Sequence, residues 1–239
     1  MSIKDKIAIV QQQLKQAAIL SGRTQEDIRL IAVSKTKSTE MILQALAAGQ
    51  SAFGENRVQE ALGKIEDLTK LPLVEWHLIG HLQKNKVKFC PGNFQWIHTI
   101  DSTELAEKLE ARSAFAQKKI NVLLQVNLSR EITKSGLHDW EDILQVSETI
   151  LSGKWLKLRG LMTIPPPNIG ETPTRKIYEK LRLWRDKLNQ DLDSPEITEL
   201  SMGMTADFHW AIQEGATMIR VGSAIFGERN EDMDSSTNM

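Results

Sequence analysis

Residues 28–37 read IRLIAVSKTK, an apolar run that reaches Lys35 and leads into a predicted helix. Read as a strand, in which side chains alternate between two faces, the run is largely apolar on both faces. Such a strand is typical of a parallel sheet covered by helices. Lys35 would then lie at the carboxyl end of the strand, where α/β proteins place binding sites, and partial burial would favour its neutral, nucleophilic amine. The alternative interpretation is a solvated lysine that ends a strand.

The rest of the chain repeats this strand-and-helix pattern. Apolar residues at helical spacing predict helices over 3–21, 39–49, 56–70, KNKVKF (84–89), 103–118, 140–151, 174–189 and 206–214. Ser102 or Thr103, ahead of Glu107, suggests a capping box at the start of the fifth of these. Strands are predicted, after residues 28–37, in SAFGE, LVEWHLIG, QWIHTID, NVLLQVN, LKLRGLMTI, ITELSMG and TMIRVGSAIFG.

Eight strands alternating with helices, after one extra N-terminal helix, predict a single-domain α/β fold, a (β/α)₈ TIM barrel. The alternative is an open doubly wound sheet, in which the first and last strands would not pair. We expect the barrel over residues 1–229 and a flexible acidic tail over 230–239. The proline-rich loop at 165–173 is the longest break in the pattern, and it would be able to close over a ligand.

The composition narrows the class of protein. The chain has 239 residues, with 30 basic and 31 acidic side chains, so the charge gives no support for a nucleic-acid or anionic-membrane partner. A single cysteine, Cys90, cannot form an internal disulfide, which fits a reducing compartment. No apolar run approaches the length of a membrane span or of a signal peptide. We therefore expect a cytoplasmic protein that binds neither nucleic acid nor a membrane.

The ends of the last two strands resemble a phosphate site. In TIM barrels the loops after strands seven and eight hold phosphate through backbone amides, and here they read SMGMT and RVGS. Gly203 and Gly222 would let the backbone approach an anion closely. Hydroxyl donors would come from Ser201, Thr205 and Ser223.

A strand-end lysine opposite a phosphate site indicates a phosphate-bearing aldehyde held as a Schiff base. Two interpretations compete, an aldolase acting on a sugar phosphate and a protein that binds pyridoxal phosphate. Arg220 favours the second, because a guanidinium next to the phosphate glycine could contact a pyridine nitrogen. A surface ion pair is the alternative role for Arg220.

Six motifs carry a resemblance to a known family. AVSKTK, FGENRVQE, WHLIGHLQKNK, LRGLMTIPP, ELSMGMTADFHWAI and IRVGSAIFGER closely resemble the pyridoxal phosphate homeostasis protein family. The match extends from the first helix to Arg229. His81 departs from the family pattern, which has residues such as proline at that position.

The resemblance implies a single-domain barrel like the N-terminal domain of alanine racemase, with the cofactor pyridoxal 5'-phosphate as a Schiff base on Lys35. It further implies phosphate contacts from Ser201, Gly222 and Ser223, with Gly203 in the same cup, and a pyridine contact from Arg220. The cofactor ring would be surrounded, by the same resemblance, by Asn56, His77 and Met162.

Catalysis has to be judged separately from the fold. The racemases that this barrel resembles use a second acid/base, a tyrosine from an additional domain of a partner subunit. The single tyrosine here, Tyr178, falls in the predicted helix after strand six, and no second domain follows strand eight. Arg220 does not readily give up a proton, so the cofactor would be a poor electron sink.

We therefore predict a non-enzymatic protein that buffers or delivers the cofactor in vitamin B6 and amino-acid homeostasis. The alternative is a weak amino-acid racemase or another pyridoxal phosphate-dependent enzyme. The expected partners are apo-enzymes that receive the cofactor, or a regulatory protein, and we expect a monomer. His77 and His81 are four residues apart, but Gly80 and the strand-to-loop setting argue against a metal site.

Overall fold

The structure is a computed structural model that describes residues 1–69, 71, 74–129, 131 and 135–228. Within these residues the chain forms eight strands, β1 Arg29–Val33, β2 Ala52–Glu55, β3 Glu75–Leu78, β4 Trp96–Ile100, β5 Ile120–Gln125, β6 Leu156–Met162, β7 Glu199–Met204 and β8 Met218–Val221. The helices are α1 Ile3–Leu20, α2 Thr39–Ala47, α3 Val58–Asp67, α4 Thr103–Ala116, α5 Trp140–Ser152, α6 Glu171–Leu192, α7 Phe208–Gln213 and α8 Ser223–Phe226.

The strands form a closed parallel barrel in sequence order. Closure is made by β1 and β8, where Ile31 lies opposite Arg220 and Ala32 opposite Val221. The predicted (β/α)₈ barrel is therefore confirmed. An open doubly wound sheet is excluded, because such a sheet leaves its first and last strands unpaired.

Alternation along β1 separates two apolar clusters, as the period of two predicts. Ile31 packs inside the barrel with Met162 and Met218. Ala32 faces the surrounding helices, in the larger cluster that also contains Phe53. Both faces of the strand are buried, which explains why residues 28–33 read as an almost continuous apolar run.

The extra N-terminal helix is confirmed as α1, which packs against α2, α7 and α8. Its first turn is closed by a capping box, in which Ser2 and Asp5 satisfy each other's backbone amides. The buried face carries Ile7, Val10 and Leu14. Burial of each of these side chains stabilises the fold by about 2 kcal/mol. Because α8 follows β8, this contact also supports the end of the barrel that closes the sheet.

Two predicted elements are wrong. KNKVKF forms only a 3₁₀ turn, Val87–Phe89, because its alternating lysines give no apolar stripe and only Val87 becomes buried. The strand predicted over 217–227 ends at Val221, and Gly222 caps the short helix α8. An apolar run of that length does not by itself distinguish a strand from a buried helical turn.

Two helix starts and one helix cap also differ from the predictions. α6 begins at Glu171, so Pro173 lies in its first turn. Amides in the first turn have no acceptor within the helix, so a proline there costs no helical hydrogen bond. α7 begins at Phe208, after Asp207, and not at 206. The hydroxyl of Ser102 caps α4 by accepting from the amide of Leu105 at 3.3 Å. Since Leu105 is the third helical residue, no glutamate completes the predicted capping box.

The barrel elements extend to Phe226. The tail predicted at 230–239, together with Arg229, lies outside the described residues. In the part of the chain that the structure describes, no helix is long and apolar enough to cross a membrane.

Candidate functional site

Lys35 lies two residues beyond the end of β1, in the turn that leads to α2, and is half-buried. β1 is therefore shorter than predicted, but the lysine is at the carboxyl-terminal mouth of the barrel, as predicted. The next residue, Thr36, has a φ of 62°, a left-handed conformation that is uncommon for a side chain branched at Cβ. Because such a conformation is unfavourable, it needs support from neighbouring groups.

That support comes from a group of buried and partly buried side chains that we call the Lys64 cluster, formed by Ser34, Glu55, Glu60 and Lys64. The Lys64 Nζ donates to the carbonyl oxygen of Ser34 at 2.7 Å. It also pairs with Glu55 at 2.8 Å and with Glu60 at 2.7 Å. Glu60 in turn accepts from the amide of Thr36. Both residues that flank Lys35 are therefore held by side chains of β2 and α3.

Glu55 is the most deeply buried charge in this cluster and is fully inaccessible. Its burial raises its pKa, while Lys64 and the Ser34 hydroxyl act in the opposite direction. Ser34 donates to Glu55 Oε1 at 2.5 Å, whereas Oε2 has no hydrogen-bond partner. The carboxylate therefore depends on Lys64 for its compensation.

The two glycine turns predicted to hold phosphate are brought together. Gly203 has a φ of 91°, and a Cβ there would lie 2.6 Å from the Cβ of Ala211. Only glycine fits both the conformation and the space. Gly222 comes directly after the neighbouring strand β8, and its amide contacts Thr205 Oγ1 at 3.4 Å. Ser223 is exposed at the first position of α8. A short helix after strand eight is the usual phosphate site of these barrels.

The turn that carries Lys35 contacts the glycine cup, which is formed by the turns at Gly203 and Gly222. β1 and β8 are paired, and the Cβ of Val33 would lie 3.3 Å from a Cβ at Gly222. Lys37 Nζ donates to the carbonyl oxygens of Gly227 at 3.2 Å and Glu228 at 3.0 Å. The amine and the glycine cup therefore follow adjacent strands.

Arg220 lies inside the barrel and is 4% exposed. Nη1 donates to Ser201 Oγ at 2.5 Å, and Nη2 donates to the carbonyl oxygen of Thr163 at 2.9 Å. These two bonds use two of the five N–H donors of the guanidinium. Burial lowers the pKa of Arg220 to about 10, which leaves the group charged at neutral pH. Arg220 is thus a fixed cation, and the surface ion pair considered from the sequence is excluded.

The predicted residues do not all lie at the same depth. Asn56 follows β2 and lines a cavity of about 270 Å³ at the mouth with Gly80, His81, Asn127 and Ile164. Gly80 is required there, because a Cβ would lie 2.2 Å from the carbonyl oxygen of Asn56.

Met162 ends β6 and is fully buried in the barrel interior. His77 and Ser201 are also fully buried. His77 contacts Glu75 and His98, while Ser201 contacts Arg220 and His98. The predicted roles of these residues toward a ligand stay predictions.

Tyr178 lies nearer to the site than its position in the sequence indicated. Its hydroxyl is next to Asp207 and the backbone of Gly203, without a hydrogen bond of normal geometry. The side chain is fully buried, and burial raises its pKa above the ordinary value of 10.0. A buried phenol that holds its proton so firmly is poorly suited to act as an acid/base toward a bound molecule.

The sequence argument missed His98 and two members of the Lys64 cluster, Glu60 and Lys64. His98 and Trp96 are two residues apart in WIHTI, so their side chains lie on the same, inner face of β4. Glu60 and Lys64 are four residues apart on α3, the spacing of an ion pair on one helix face. Neither signal indicates by itself that these side chains reach the site.

The donor set fits a phosphate-bearing aldehyde with a basic ring nitrogen. Lys35 provides a primary amine, the two glycine turns provide close backbone approach, and Arg220 has unused donors inside the barrel. No group of three or more His, Cys, Asp or Glu side chains that could hold a metal occurs within the described ranges. Fold and site together define the class of barrel domains found in alanine racemases, and a family model described as "Alanine racemase, N-terminal domain" matches residues 10–230.

Full-length relatives are more specific. A pyridoxal phosphate homeostasis protein from Pasteurella multocida is 41% identical over 232 residues, covering 96% of this chain and 99% of the relative. The solved structure of PipY from Synechococcus elongatus PCC7942 without pyridoxal phosphate is 38% identical, with a TM-score of 0.86 and coverage of 95% and 100%.

The same protein solved with pyridoxal phosphate bound is 37% identical, with a TM-score of 0.84 and the same coverage. The chain therefore belongs to the pyridoxal phosphate homeostasis protein family.

Proposed function

We propose that this protein binds pyridoxal 5'-phosphate reversibly through Lys35 and acts in the homeostasis of the cofactor. The observation that carries the proposal is the placement of a half-buried lysine and a glycine cup at the ends of the paired strands β1 and β8. The PipY structure with pyridoxal phosphate bound, on a chain 37% identical to this one, supports the same ligand.

Each part of the ligand has a proposed binding group. The amine of Lys35 condenses with the aldehyde, forming a Schiff base and releasing water. Gly203, Gly222 and Ser223 bind the phosphate, whereas the hydroxyl of Ser201, which was predicted to join them, is hydrogen-bonded to Arg220 and His98. Arg220 donates to the ring nitrogen. Around the ring lie Asn56, at the mouth, and Met162 and His77, at greater depth.

The role of Lys35 depends on the rigidity of its turn. The Lys64 cluster fixes Ser34 and Thr36, so the amine needs little further ordering to reach a ligand in the cup.

We propose that catalysis is weak or absent. A ring nitrogen that accepts from the charged Arg220 stays unprotonated, and the bound cofactor then withdraws electrons poorly. The P. multocida relative is named for homeostasis and not for a reaction. In this proposal the cofactor is stored and passed to apo-enzymes, or sensed by a regulatory protein, by a monomer.

Borohydride reduction of protein loaded with pyridoxal phosphate, followed by peptide mapping, tests the lysine. We expect the label on Lys35 and its loss in Lys35→Ala, with normal labelling in Lys108→Ala, which changes an exposed lysine on α4. A label confined to another lysine would overturn the proposal. Incubation of the loaded protein with L-alanine or L-serine and chiral chromatography tests the racemase alternative, because D-isomer that depends on Lys35 would establish it.

A further inference from the structure

A hydrogen-bonded chain crosses the barrel interior from Arg220 to Glu75. Arg220 Nη1 contacts Ser201 Oγ at 2.5 Å, and Ser201 Oγ contacts His98 Nδ1 at 2.9 Å. His98 Nε2 contacts His77 Nδ1 at 2.9 Å, and His77 Nε2 contacts Glu75 Oε1 at 2.8 Å. The chain links strands β8, β7, β4 and β3.

The three middle members of the chain are fully inaccessible, so their polar atoms must satisfy one another. His77 is further fixed by Trp96, whose ring is nearly parallel to the imidazole at a centroid distance of 5.7 Å. The outer end is different. Glu75 is a third exposed and lies with Arg29 in a polar cleft of about 280 Å³ at the amino-terminal end of the barrel.

The direction of every hydrogen bond follows from the two charged ends. Arg220 can only donate, and an ionised Glu75 can only accept. Burial, the largest single influence, raises the pKa of Glu75, but the hydrogen bond to His77 and the nearby positive charge together lower this pKa overall, so the carboxyl is ionised at neutral pH. Both imidazoles are neutral at neutral pH, because burial lowers their pKa values. For His77 this effect outweighs the opposing influence of Glu75, and Arg29, together with Arg220 for His98, acts in the same direction as burial.

His77 therefore donates from Nε2 to Glu75 and accepts at Nδ1. His98 must then donate from Nε2 to His77 and accept at Nδ1 from the Ser201 hydroxyl. Ser201 consequently gives its proton to His98 and accepts from Arg220. A single arrangement of protons satisfies the whole chain, with both histidines in the Nε2–H tautomer.

We propose that Ser201, His98, His77 and Glu75 form a one-directional hydrogen-bond chain that orients the Arg220 guanidinium, so that both histidines are positioning residues for the ring end of the ligand. The role toward the ligand rests on the proposed function, whereas the chain itself is a property of the free protein. As a consequence, the Ser201 hydroxyl donates its proton to His98 and does not donate to a phosphate.

Long-range ¹H–¹⁵N NMR of the histidine side chains in the ligand-free protein tests the chain directly. We expect His77 and His98 to be neutral Nε2–H tautomers at pH 8 and pH 7. An Nδ1–H tautomer at either buried position, or protonation of either with a midpoint at or above the ordinary value of 6.5, would overturn the proposal.

Variants of His98 test the positioning role. His98→Asn keeps an acceptor where Nδ1 contacts Ser201, whereas His98→Leu removes it, and His209→Asn is the exposed control. We expect His98→Leu to weaken pyridoxal phosphate binding about tenfold, to shift the absorption maximum of the bound cofactor and to move the Arg220 Nε signal of the free protein. His98→Asn should recover most of each effect.

Equal binding, spectra and Arg220 signals in His98→Leu and His209→Asn would contradict the positioning role. If the tautomers and the Arg220 signal behave as expected but wild-type protein forms no adduct at Lys35, the proposed function fails while the chain stands. The two proposals are therefore separable.

Discussion

Lys64 on α3 donates to the carbonyl oxygen of Ser34 at 2.7 Å, and this bond ties a helix outside the barrel to the residue immediately before Lys35. The same Nζ compensates Glu55, whose carboxylate is fully buried. One side chain thus stabilises the fold and also fixes the turn that presents the amine. Substitution of Lys64 should therefore affect stability and ligand binding together.

We expect Lys64→Met to lower the free energy of unfolding by about 3–5 kcal/mol, because it leaves the buried Glu55 carboxylate without a compensating charge. Urea unfolding measures this loss. Lys108→Met is a matched control, since it breaks an ion pair with Glu104 between two half-exposed side chains and should cost far less stability. Equal losses in the two variants would show that Lys64 is not the compensating charge.

Gly203→Ala should destabilise the protein more than Gly170→Ala. Both glycines have positive φ, 91° and 86°, so both substitutions carry a backbone cost. A Cβ at Gly203 also meets Ala211 at 2.6 Å, whereas nothing lies within 4 Å of a Cβ at Gly170. The clash should add about 1–3 kcal/mol.

Thermal or urea unfolding of the two glycine variants distinguishes the backbone cost, which both share, from the steric clash, which only Gly203→Ala introduces. Pyridoxal phosphate titration of the same variants should show weaker binding only for Gly203→Ala. Similar stabilities would mean that β7 and α7 move apart without cost.

The stability of the protein should fall as the pH falls below about 6.5. His77 and His98 have pKa values lowered from 6.5 by burial, so the unfolded chain binds more protons than the folded chain in this range. Each buried imidazole contributes up to about 1.4 kcal/mol per pH unit. Glu75, Arg29 and Arg220 are the charged groups that surround the pair.

Urea unfolding at pH 7.5, 6.5 and 5.5 measures how steeply the free energy of unfolding changes with pH. His98→Asn, which has no ring to protonate, should have a shallower slope than His209→Asn. Parallel slopes would indicate that neither buried histidine is held neutral in the fold.

Cys90 should not react with thiol reagents in the folded protein. The side chain is fully buried, and burial raises the pKa of the thiol to about 12, so almost no thiolate forms at pH 8. We expect no labelling by a disulfide reagent in buffer and one equivalent in denaturing urea. Fast labelling of the native protein would show that the segment around Val87–Phe89 opens.

Much of the fold could be predicted from the sequence because its signals are local. The apolar residues on both faces of 28–33 indicate a parallel strand, and eight repeats of strand and helix indicate a barrel. The wrong assignments, KNKVKF and 217–227, are short segments in which periodicity cannot choose between helix and strand. The glycine turn at 203 was visible because its positive φ restricts the residue type locally, whereas Gly222, with a φ of −118°, follows β8 in a conformation open to other residues.

The sequence by itself therefore determined the barrel, the strand-end lysine and the two glycine turns, together with the family to which the chain belongs. Only the tertiary structure decided what surrounds them. Lys64 lies 29 positions from Lys35, and His98 lies 103 positions from Ser201, yet the two pairs are joined by short hydrogen bonds, the first through Ser34 and the second directly. Such contacts depend on barrel closure and strand register, which bring distant residues into one desolvated space, and no local spacing encodes them.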